Sequence, residues 1–218
     1  AGSCTRCSAG FSPPRNGSTS CEPAANGTYA SATGQASASP CPAGTHSGAS
    51  ASSSCSDCPA GTWRGADGAK ACDTCLAGTY SAARSPSCTV CDPGSYAGDA
   101  GAESCTRCSA GFYQPRNGST SCEPAANGTY ASATGQASAL PCPAGTYRGA
   151  SASTSCSDCP AGTWSAEGTK ACQTCLGGTY SNAGSDKCHE CTLGTYADNR
   201  GASSCTSCGA GKFQGAAG

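Results

Sequence analysis

The sequence predicts small disulfide-rich repeats, in which short β-hairpins and turns stack into an elongated rod with almost no helix. Three observations lead to this fold class: 22 cysteines at regular intervals, a glycine and an aromatic residue at fixed positions between them, and a scarcity of large aliphatic residues. The chain of 218 residues has no Met, three Phe and no stretch of sustained helical periodicity. Covalent cross-links are therefore expected to replace a continuous hydrophobic core.

The cysteines follow one spacing: a first cysteine, a second 13 or 14 residues later, two spacer residues, and the next pair. The pattern is broken twice, because Ala24 and Ala38, and again Ala125 and Ala139, stand where cysteines are expected. An unpaired thiol is a liability in an oxidising compartment, so the joint loss indicates that these two positions are bonded to each other. The predicted disulfides are Cys7–Cys21, Cys41–Cys55, Cys58–Cys72, Cys75–Cys88, Cys91–Cys105, Cys108–Cys122, Cys142–Cys156, Cys159–Cys172, Cys175–Cys188 and Cys191–Cys205.

Two other pairings are compatible with the cysteine spacing. A pairing of alternate cysteines in neighbouring C-x-x-C clusters is disfavoured, because it would leave Cys7 without a partner where Ala24 replaces the cysteine. The remaining alternative closes each C-x-x-C on itself and bonds Cys21 to Cys41, which creates many tight rings. In the predicted set of ten disulfides, Cys4 and Cys208 have no assigned partner.

The repeat defined by this spacing starts at residues 7, 24, 41, 58, 75, 91, 108, 125, 142, 159, 175, 191 and 208. The third residue after each start is glycine in every copy, as at Gly10 and Gly211, which predicts a tight turn with positive φ or no room for a Cβ. The fifth residue is aromatic in most copies, although Ser12 and His46 are exceptions. We expect this ring to cover the disulfide of its own or an adjacent repeat.

A longer repeat is superimposed on the short one. Residues 15–38 and 116–139 are identical, so six short repeats form a large repeat of about 101 residues. The predicted domains are the first large repeat at 1–104, the second at 105–204 and the start of a third copy at 205–218. We expect the chain to be part of a longer secreted protein, with no membrane insertion in this segment.

The unit C-P-A-G-T-Y/W-x(7–8)-C-x-x-C, present at Cys58–Trp63 and Cys142–Tyr147, resembles the ephrin-receptor-like cysteine-rich repeat, which is related to growth-factor-receptor and tumour-necrosis-factor-receptor modules. The resemblance implies an extracellular, disulfide-rich protein. The Ala, Gly and Ser bias and the near-identical large repeats also resemble structural surface glycoproteins of algae or other protists, such as those of flagellar hairs.

Four N-x-S/T sequons occur at equivalent places in the two large repeats, at Asn16, Asn26, Asn117 and Asn127. They predict N-linked glycans, and the abundant Ser and Thr allow O-linked glycans as well. The alternative is that each Asn-Gly pair only makes a turn. A low charge content supports the glycan interpretation, because solubility must then come from another source.

Other chemistry is disfavoured by the sequence. The spacing of Cys55, Cys58, Cys72 and Cys75 also fits a zinc ribbon, but every cluster would then serve two neighbours. No βαβ pattern surrounds a C-x-x-C as in a thioredoxin, and no catalytic set, phosphate loop or acidic calcium loop is present. His46 and His189 do not recur in the other large repeat and are expected at the surface. We predict no catalytic residues, no cofactor and no metal site.

The predicted function is structural: a subunit of an extracellular glycoprotein filament or surface appendage, whose partners are copies of itself in a helical or fibrous assembly. The alternative is a stalk or ligand-binding ectodomain of a cell-surface receptor or adhesion protein. A net charge of −1 without basic runs argues against nucleic acid as a partner. Near-exact repetition of outward polar residues favours the filament, because a receptor would vary its surface to form one binding patch.

Overall fold

A computed structural model describes residues 4–214, and within them it contains no helix. It consists of two-residue strands that pair as antiparallel hairpins. The strands of the first half are β1 (Phe11–Ser12), β2 (Glu22–Pro23), β3 (Thr28–Tyr29), β4 (Ser39–Pro40), β5 (Thr45–His46), β6 (Ser56–Asp57), β7 (Thr62–Trp63), β8 (Asp73–Thr74), β9 (Thr79–Tyr80), β10 (Thr89–Val90), β11 (Ser95–Tyr96) and β12 (Thr106–Arg107). Those of the second half are β13 (Phe112–Tyr113), β14 (Glu123–Pro124), β15 (Thr129–Tyr130), β16 (Leu140–Pro141), β17 (Thr146–Tyr147), β18 (Ser157–Asp158), β19 (Thr163–Trp164), β20 (Gln173–Thr174), β21 (Thr179–Tyr180), β22 (His189–Glu190), β23 (Thr195–Tyr196) and β24 (Thr206–Ser207). The predicted fold class of small disulfide-rich repeats is confirmed.

Each hairpin has the same construction. Its first strand carries the aromatic position, and its second strand is the pair of residues just before the start of the next repeat. In eight of the twelve hairpins within residues 4–214 this pair is the spacer inside a C-x-x-C cluster, and in the other four an alanine replaces one of the two cysteines. The pairs Thr62↔Thr74 and Trp63↔Asp73 illustrate the register. The tight turn before the first strand is closed by the backbone N–H of Thr62, which donates to the carbonyl of Pro59 at 3.1 Å, and by the Thr62 hydroxyl, which donates to the same carbonyl at 2.7 Å.

The recurring glycine confirms both physical reasons predicted for it. At Gly27, φ is +88°, which only glycine adopts without strain. A Cβ at this residue would also overlap the carbonyl oxygen of Gly68, which lies two repeats further along the chain. Gly61 has the same arrangement with φ at +79° and Gly101 as its neighbour. The glycine therefore fixes the turn and at the same time permits close packing between next-but-one repeats.

Hydrogen bonds between successive repeats complete the local architecture. The N–H of Gly61 donates to the carbonyl of Ser81 at 2.8 Å, and the carbonyl of Gly61 accepts from the N–H of Cys75 at 3.0 Å. The N–H of Gly101 donates to the carbonyl of Cys75 at 2.8 Å. These bonds recur from repeat to repeat and satisfy backbone groups that two-residue strands alone would leave unpaired.

The described chain divides into two compact units. The first comprises the residues up to Asp92 together with Tyr96–Thr106 and Asn117–Ser121, and the second comprises Pro93–Ser95, Arg107–Arg116 and the residues from Cys122 onwards. Both units have the same kind of core, made of the first cysteine of each stapled repeat and of small residues such as Ala30, Ser81 and Ser165. Cysteines and small side chains thus occupy the positions that aliphatic residues fill in ordinary domains.

Candidate functional site

The structure joins the same ten cysteine pairs that the sequence predicted, from Cys7–Cys21 to Cys191–Cys205. Each pair brings its two Cα atoms to 5.7 Å, which is within the usual range for a disulfide. Cys4 and Cys208 are free. In the stapled repeats from Cys41 onwards the first cysteine is almost fully buried while the second is partly exposed, so solvent reaches each of these disulfides from one side.

At two places, the residue at the fifth position of a repeat lies near a cysteine of the following repeat. Trp63 and Cys88 line one groove, together with Thr74 and Leu76. His46 places its Nδ1 3.3 Å from Sγ of Cys72. Trp63 thus lies near the disulfide of the next repeat, as expected for the aromatic position, and its side chain is only partly buried. His46, an exception to the aromatic rule, contacts the disulfide of the next repeat as well and is also partly buried.

A groove lies beside Trp63 in the first unit. It has a volume of about 460 Å³, and its lining is mainly apolar. Leu76, which also lines the groove, is 76% exposed. A corresponding groove in the second unit is lined by Trp164, Thr174 and Leu176. Both large repeats therefore present a tryptophan and an exposed leucine at equivalent positions.

Polar residues distinguish the two grooves. In the first unit, Asp73 accepts a 2.7 Å salt bridge from Arg64. In the second, Gln173 occupies the corresponding position and Arg200 contributes to the lining. The apolar part of the groove recurs, whereas its charge does not.

The four sequon asparagines, Asn16, Asn26, Asn117 and Asn127, are all exposed. Asn26 and Asn127 lie in the tight turns of the two repeats that lack a disulfide, where the Thr28 and Thr129 hydroxyls each donate to a backbone carbonyl at 2.8 Å. The Asn-Gly pairs do form turns, and the asparagines in them are open to solvent.

His46 is partly buried beside the Cys58–Cys72 disulfide, which differs from its predicted surface position. Its imidazole and the two sulfur atoms lie within 4.8 Å of one another, a distance compatible with metal ligands. The sulfurs are bonded to each other, however, so neither is the thiolate that a zinc ion requires. His189 is exposed, as predicted, and its ring centroid lies 5.8 Å from that of Tyr180 across the hairpin.

The pKa of Tyr113 is shifted. Burial, followed by the negative charge of Glu123 and a hydrogen bond to it, raises the pKa of Tyr113 above its ordinary value. Each of these causes favours the neutral phenol, so Tyr113 keeps its proton to higher pH than a solvated tyrosine. In the first large repeat the corresponding pair is Ser12 and Glu22, which has no such phenol.

Two segments of the chain match a known protein family. A family described as tyrosine-protein kinase ephrin type A/B receptor-like matches residues 78–124 and 178–218. Both segments are therefore similar to ephrin-receptor-like cysteine-rich repeats. No curated protein matches the chain. The repeats at 24–38 and 125–139, which lack a disulfide, lie outside both matched segments.

Ephrin-receptor-like repeats are a non-catalytic, ectodomain type of structure, and ten disulfides are typical of an extracellular protein. Residues 4–214 include no helix with the length and apolar character needed to cross a bilayer. The functional question is therefore what the repeated outer surface binds.

Proposed function

We propose that this chain is a structural subunit of an extracellular glycoprotein filament or surface appendage, built from tandem disulfide-stapled repeats. The observation that carries the proposal is the recurrence of the same exposed features at equivalent positions of the two large repeats. A contact available on one large repeat is then available again about 101 residues later. Linked weak contacts gain avidity, and contacts that do not close into a ring produce filaments.

The tryptophan grooves are the surfaces we assign to contacts between chains, with a second copy of the chain as the occupant. Leu76 and Leu176 are 76% and 57% exposed, and each lies beside a groove that contains a tryptophan. Burial of such side chains between copies removes apolar surface from water, and it stabilises the contact by about 25 cal/mol for each Å² of apolar surface buried. The grooves supply a modest contact that gains strength by repetition.

Electron microscopy of the native protein tests the proposal directly. It should show fibres whose axial repeat is tied to the six-repeat period. In sedimentation experiments, the double variant Leu76→Asp/Leu176→Asp should shift the protein from assemblies to dispersed chains, because a carboxylate in the contact is left desolvated. The matched control is Leu193→Asp, since Leu193 is 68% exposed but does not line either groove.

We further propose N-linked glycans on Asn16, Asn26, Asn117 and Asn127, with O-linked glycans on Ser and Thr. The intact mass should fall after endoglycosidase treatment, and peptide maps should locate the loss at these four asparagines. An unchanged mass would remove the N-glycan proposal without affecting that of the filament. The variant Asn26→Gln, which keeps an amide but abolishes the sequon, should lose one glycan.

The family match favours a second candidate, the stalk or ligand-binding ectodomain of a cell-surface receptor or adhesion protein. In that case the two grooves would select their ligands by charge, because Asp73 lines the groove of the first unit and Gln173 lines that of the second. A dispersed monomer at high concentration, with glycans intact and a soluble ligand bound in stoichiometric amount, would establish this function in place of the filament.

A further inference from the structure

Among the ten disulfides, Cys58–Cys72 has a histidine for a neighbour. His46, from the preceding repeat, approaches with its Nδ1 3.3 Å from Sγ of Cys72. The equivalent disulfide of the second large repeat is Cys159–Cys172, and the residue equivalent to His46 is Tyr147. The protein thus contains a matched pair of disulfides that differ in the side chain at this position.

Access to the two sulfur atoms is unequal. Cys58 is fully buried, whereas Cys72 is partly exposed. An incoming thiolate therefore reaches Sγ of Cys72, the sulfur that lies next to the imidazole. The histidine is placed at the atom where exchange begins and where the final thiolate is released.

The charged residues on the adjoining strands are already paired. Asp57, on the strand that pairs with that of His46, lies 3.7 Å from Nε of Arg84. Asp73, which follows Cys72, forms a 2.7 Å salt bridge with Arg64. The guanidinium groups of Arg84 and Arg64 offset these two carboxylates. The imidazole of His46 is the group in hydrogen-bonding range of the Cys72 sulfur.

We propose that Cys58–Cys72 is a redox modification site, opened by an external dithiol, and that His46 stabilises the Cys72 thiolate that results. In the first step a thiolate of the dithiol attacks Sγ of Cys72, the S–S bond breaks, and Cys58 leaves and takes a proton. In the second step the other thiolate of the dithiol attacks the reductant's sulfur in the mixed disulfide, and Cys72 leaves as a thiolate. Two electrons pass from the dithiol to the protein disulfide, and of the two protons released one goes to Cys58 and the other to His46.

The consequence is a preference for reduction at this one disulfide. A thiolate beside an imidazolium is stabilised, and stabilisation of the reduced form makes a disulfide easier to reduce. Tyr147 offers no cation to Cys172. At equal dithiol concentration we expect the ratio of reduced to oxidised Cys58–Cys72 to exceed that of Cys159–Cys172 on the order of tenfold.

The experiment compares the two disulfides within the same molecules. The full chain is equilibrated at pH 7 in buffers of reduced and oxidised dithiothreitol, quenched with acid and alkylated, and the reduced fraction of each cysteine is measured by peptide mass spectrometry. The variant His46→Tyr introduces the side chain found in the second large repeat and should lower the reduced fraction of Cys58–Cys72 to that of Cys159–Cys172. The reciprocal variant Tyr147→His should raise that of Cys159–Cys172.

The two disulfides enclose loops of different length, with separations of 14 and 13 residues, and this difference could by itself change how easily each is reduced. The decisive comparison is therefore that of the same disulfide with and without the substitution. If His46→Tyr leaves the reduced fraction of Cys58–Cys72 unchanged, the proposal is overturned. A second measurement does not depend on equilibrium with a reductant. In the variant Cys58→Ala, which keeps His46, iodoacetamide should modify Cys72 at pH 6.5 several-fold faster than in the double variant Cys58→Ala/His46→Tyr. Equal rates would also exclude the assigned role.

Discussion

The repeat at residues 24–40, which has no disulfide, and the next repeat at 41–57, which has one, have the same backbone pairing. In the first, Thr28 pairs with Pro40. In the second, Thr45 pairs with Asp57 at the equivalent positions. Ala24 is as deeply buried as Cys41, at 1% and 0% exposure. The repeat without a cross-link thus has the same strand pairing and an equally buried first residue as the repeat that has one.

The comparison separates the origin of the geometry from the origin of the stability. Gly27 donates to the carbonyl of Ser47 at 2.7 Å and accepts from Cys41 at 2.9 Å, and these bonds are formed with or without a disulfide. A disulfide across a loop of this length contributes about 3 kcal/mol by restricting the unfolded chain. Backbone hydrogen bonds and glycine therefore set the shape of a repeat, and the disulfide makes that shape stable.

Complete reduction should have the largest effect. After treatment with dithiothreitol and alkylation, we expect all repeats to unfold, including those at 24–38 and 125–139, because their hydrogen-bond partners lie in repeats that need their disulfides. Each lost disulfide removes about 3 kcal/mol. Hydrogen exchange measured by mass spectrometry checks this result, with alkylated but unreduced protein as the control. Protected amides at 24–38 in the reduced protein would contradict it.

The variant Gly27→Ala should cost about 4 kcal/mol, because the new Cβ would overlap the carbonyl of Gly68 in addition to straining the turn. Gly194 is the matched control: it has the same place in its repeat and φ of +81°, but no atom within 4 Å of a Cβ. Gly194→Ala should cost only about 1 kcal/mol, from φ alone. Local opening free energies from hydrogen exchange give both values. Equal costs would show that the carbonyl contact has no role.

The double variant Ala24→Cys/Ala38→Cys should form a disulfide and stabilise its repeat by about 3 kcal/mol, since the backbone already has the geometry of a stapled repeat. The slowest-exchanging amides of residues 24–40 report the change. The same protein under reducing conditions is the control for the substitutions themselves. If the two thiols remain free under oxidising conditions, the backbones of the two kinds of repeat differ after all.

The smallest effect is expected at the loop of the repeat at 125–139. There the side-chain Oε1 of Gln136 accepts from the N–H of Ala133 at 3.0 Å, and Gln35 makes the equivalent bond to Ala32 at 3.3 Å. The variant Gln136→Ala should cost about 1 kcal/mol. Gln136→Glu keeps an acceptor oxygen and should cost less. A similar loss for both variants would assign the effect to packing rather than to this hydrogen bond.

The cysteine spacing was sufficient to predict the repeat and its disulfide pairs. Cysteine is missing at both position 24 and position 38, where Ala24 and Ala38 stand, and this joint loss restricts the possible pairings. The cysteine spacing was also sufficient for the glycine turn. It could not show that the two residues inside each C-x-x-C form the second strand of a hairpin, because strands of two residues have no periodicity. The rod shape and the large-repeat domain boundaries stay predictions.

Contacts between one repeat and the next could not be predicted from the sequence, because they depend on how the repeats pack on each other. Arg84 adopts a φ of +63°, in a position where most other repeats have glycine, and its N–H donates to the carbonyl of Cys58 one repeat away. Ala51 and Ala152 stand at the same position in their repeats and also have positive φ. The contact of His46 with Cys72 likewise depends on how one repeat lies on the next. Its signal in the sequence was the departure of His46 from the aromatic rule, which did not by itself indicate a partner.

The absence of a cross-link at 24–38 has a mechanical consequence. When the chain is pulled, a stapled repeat can lengthen only outside its covalent ring, so between Cys55 and Cys58 only the short spacer extends. Between Cys21 and Cys41 no ring intervenes, and the 20 residues can lengthen to about 70 Å at 3.3–3.6 Å per residue. Under load, the repeats at 24–38 and 125–139 would yield first and lengthen most, so the chain carries one extensible segment in each large repeat.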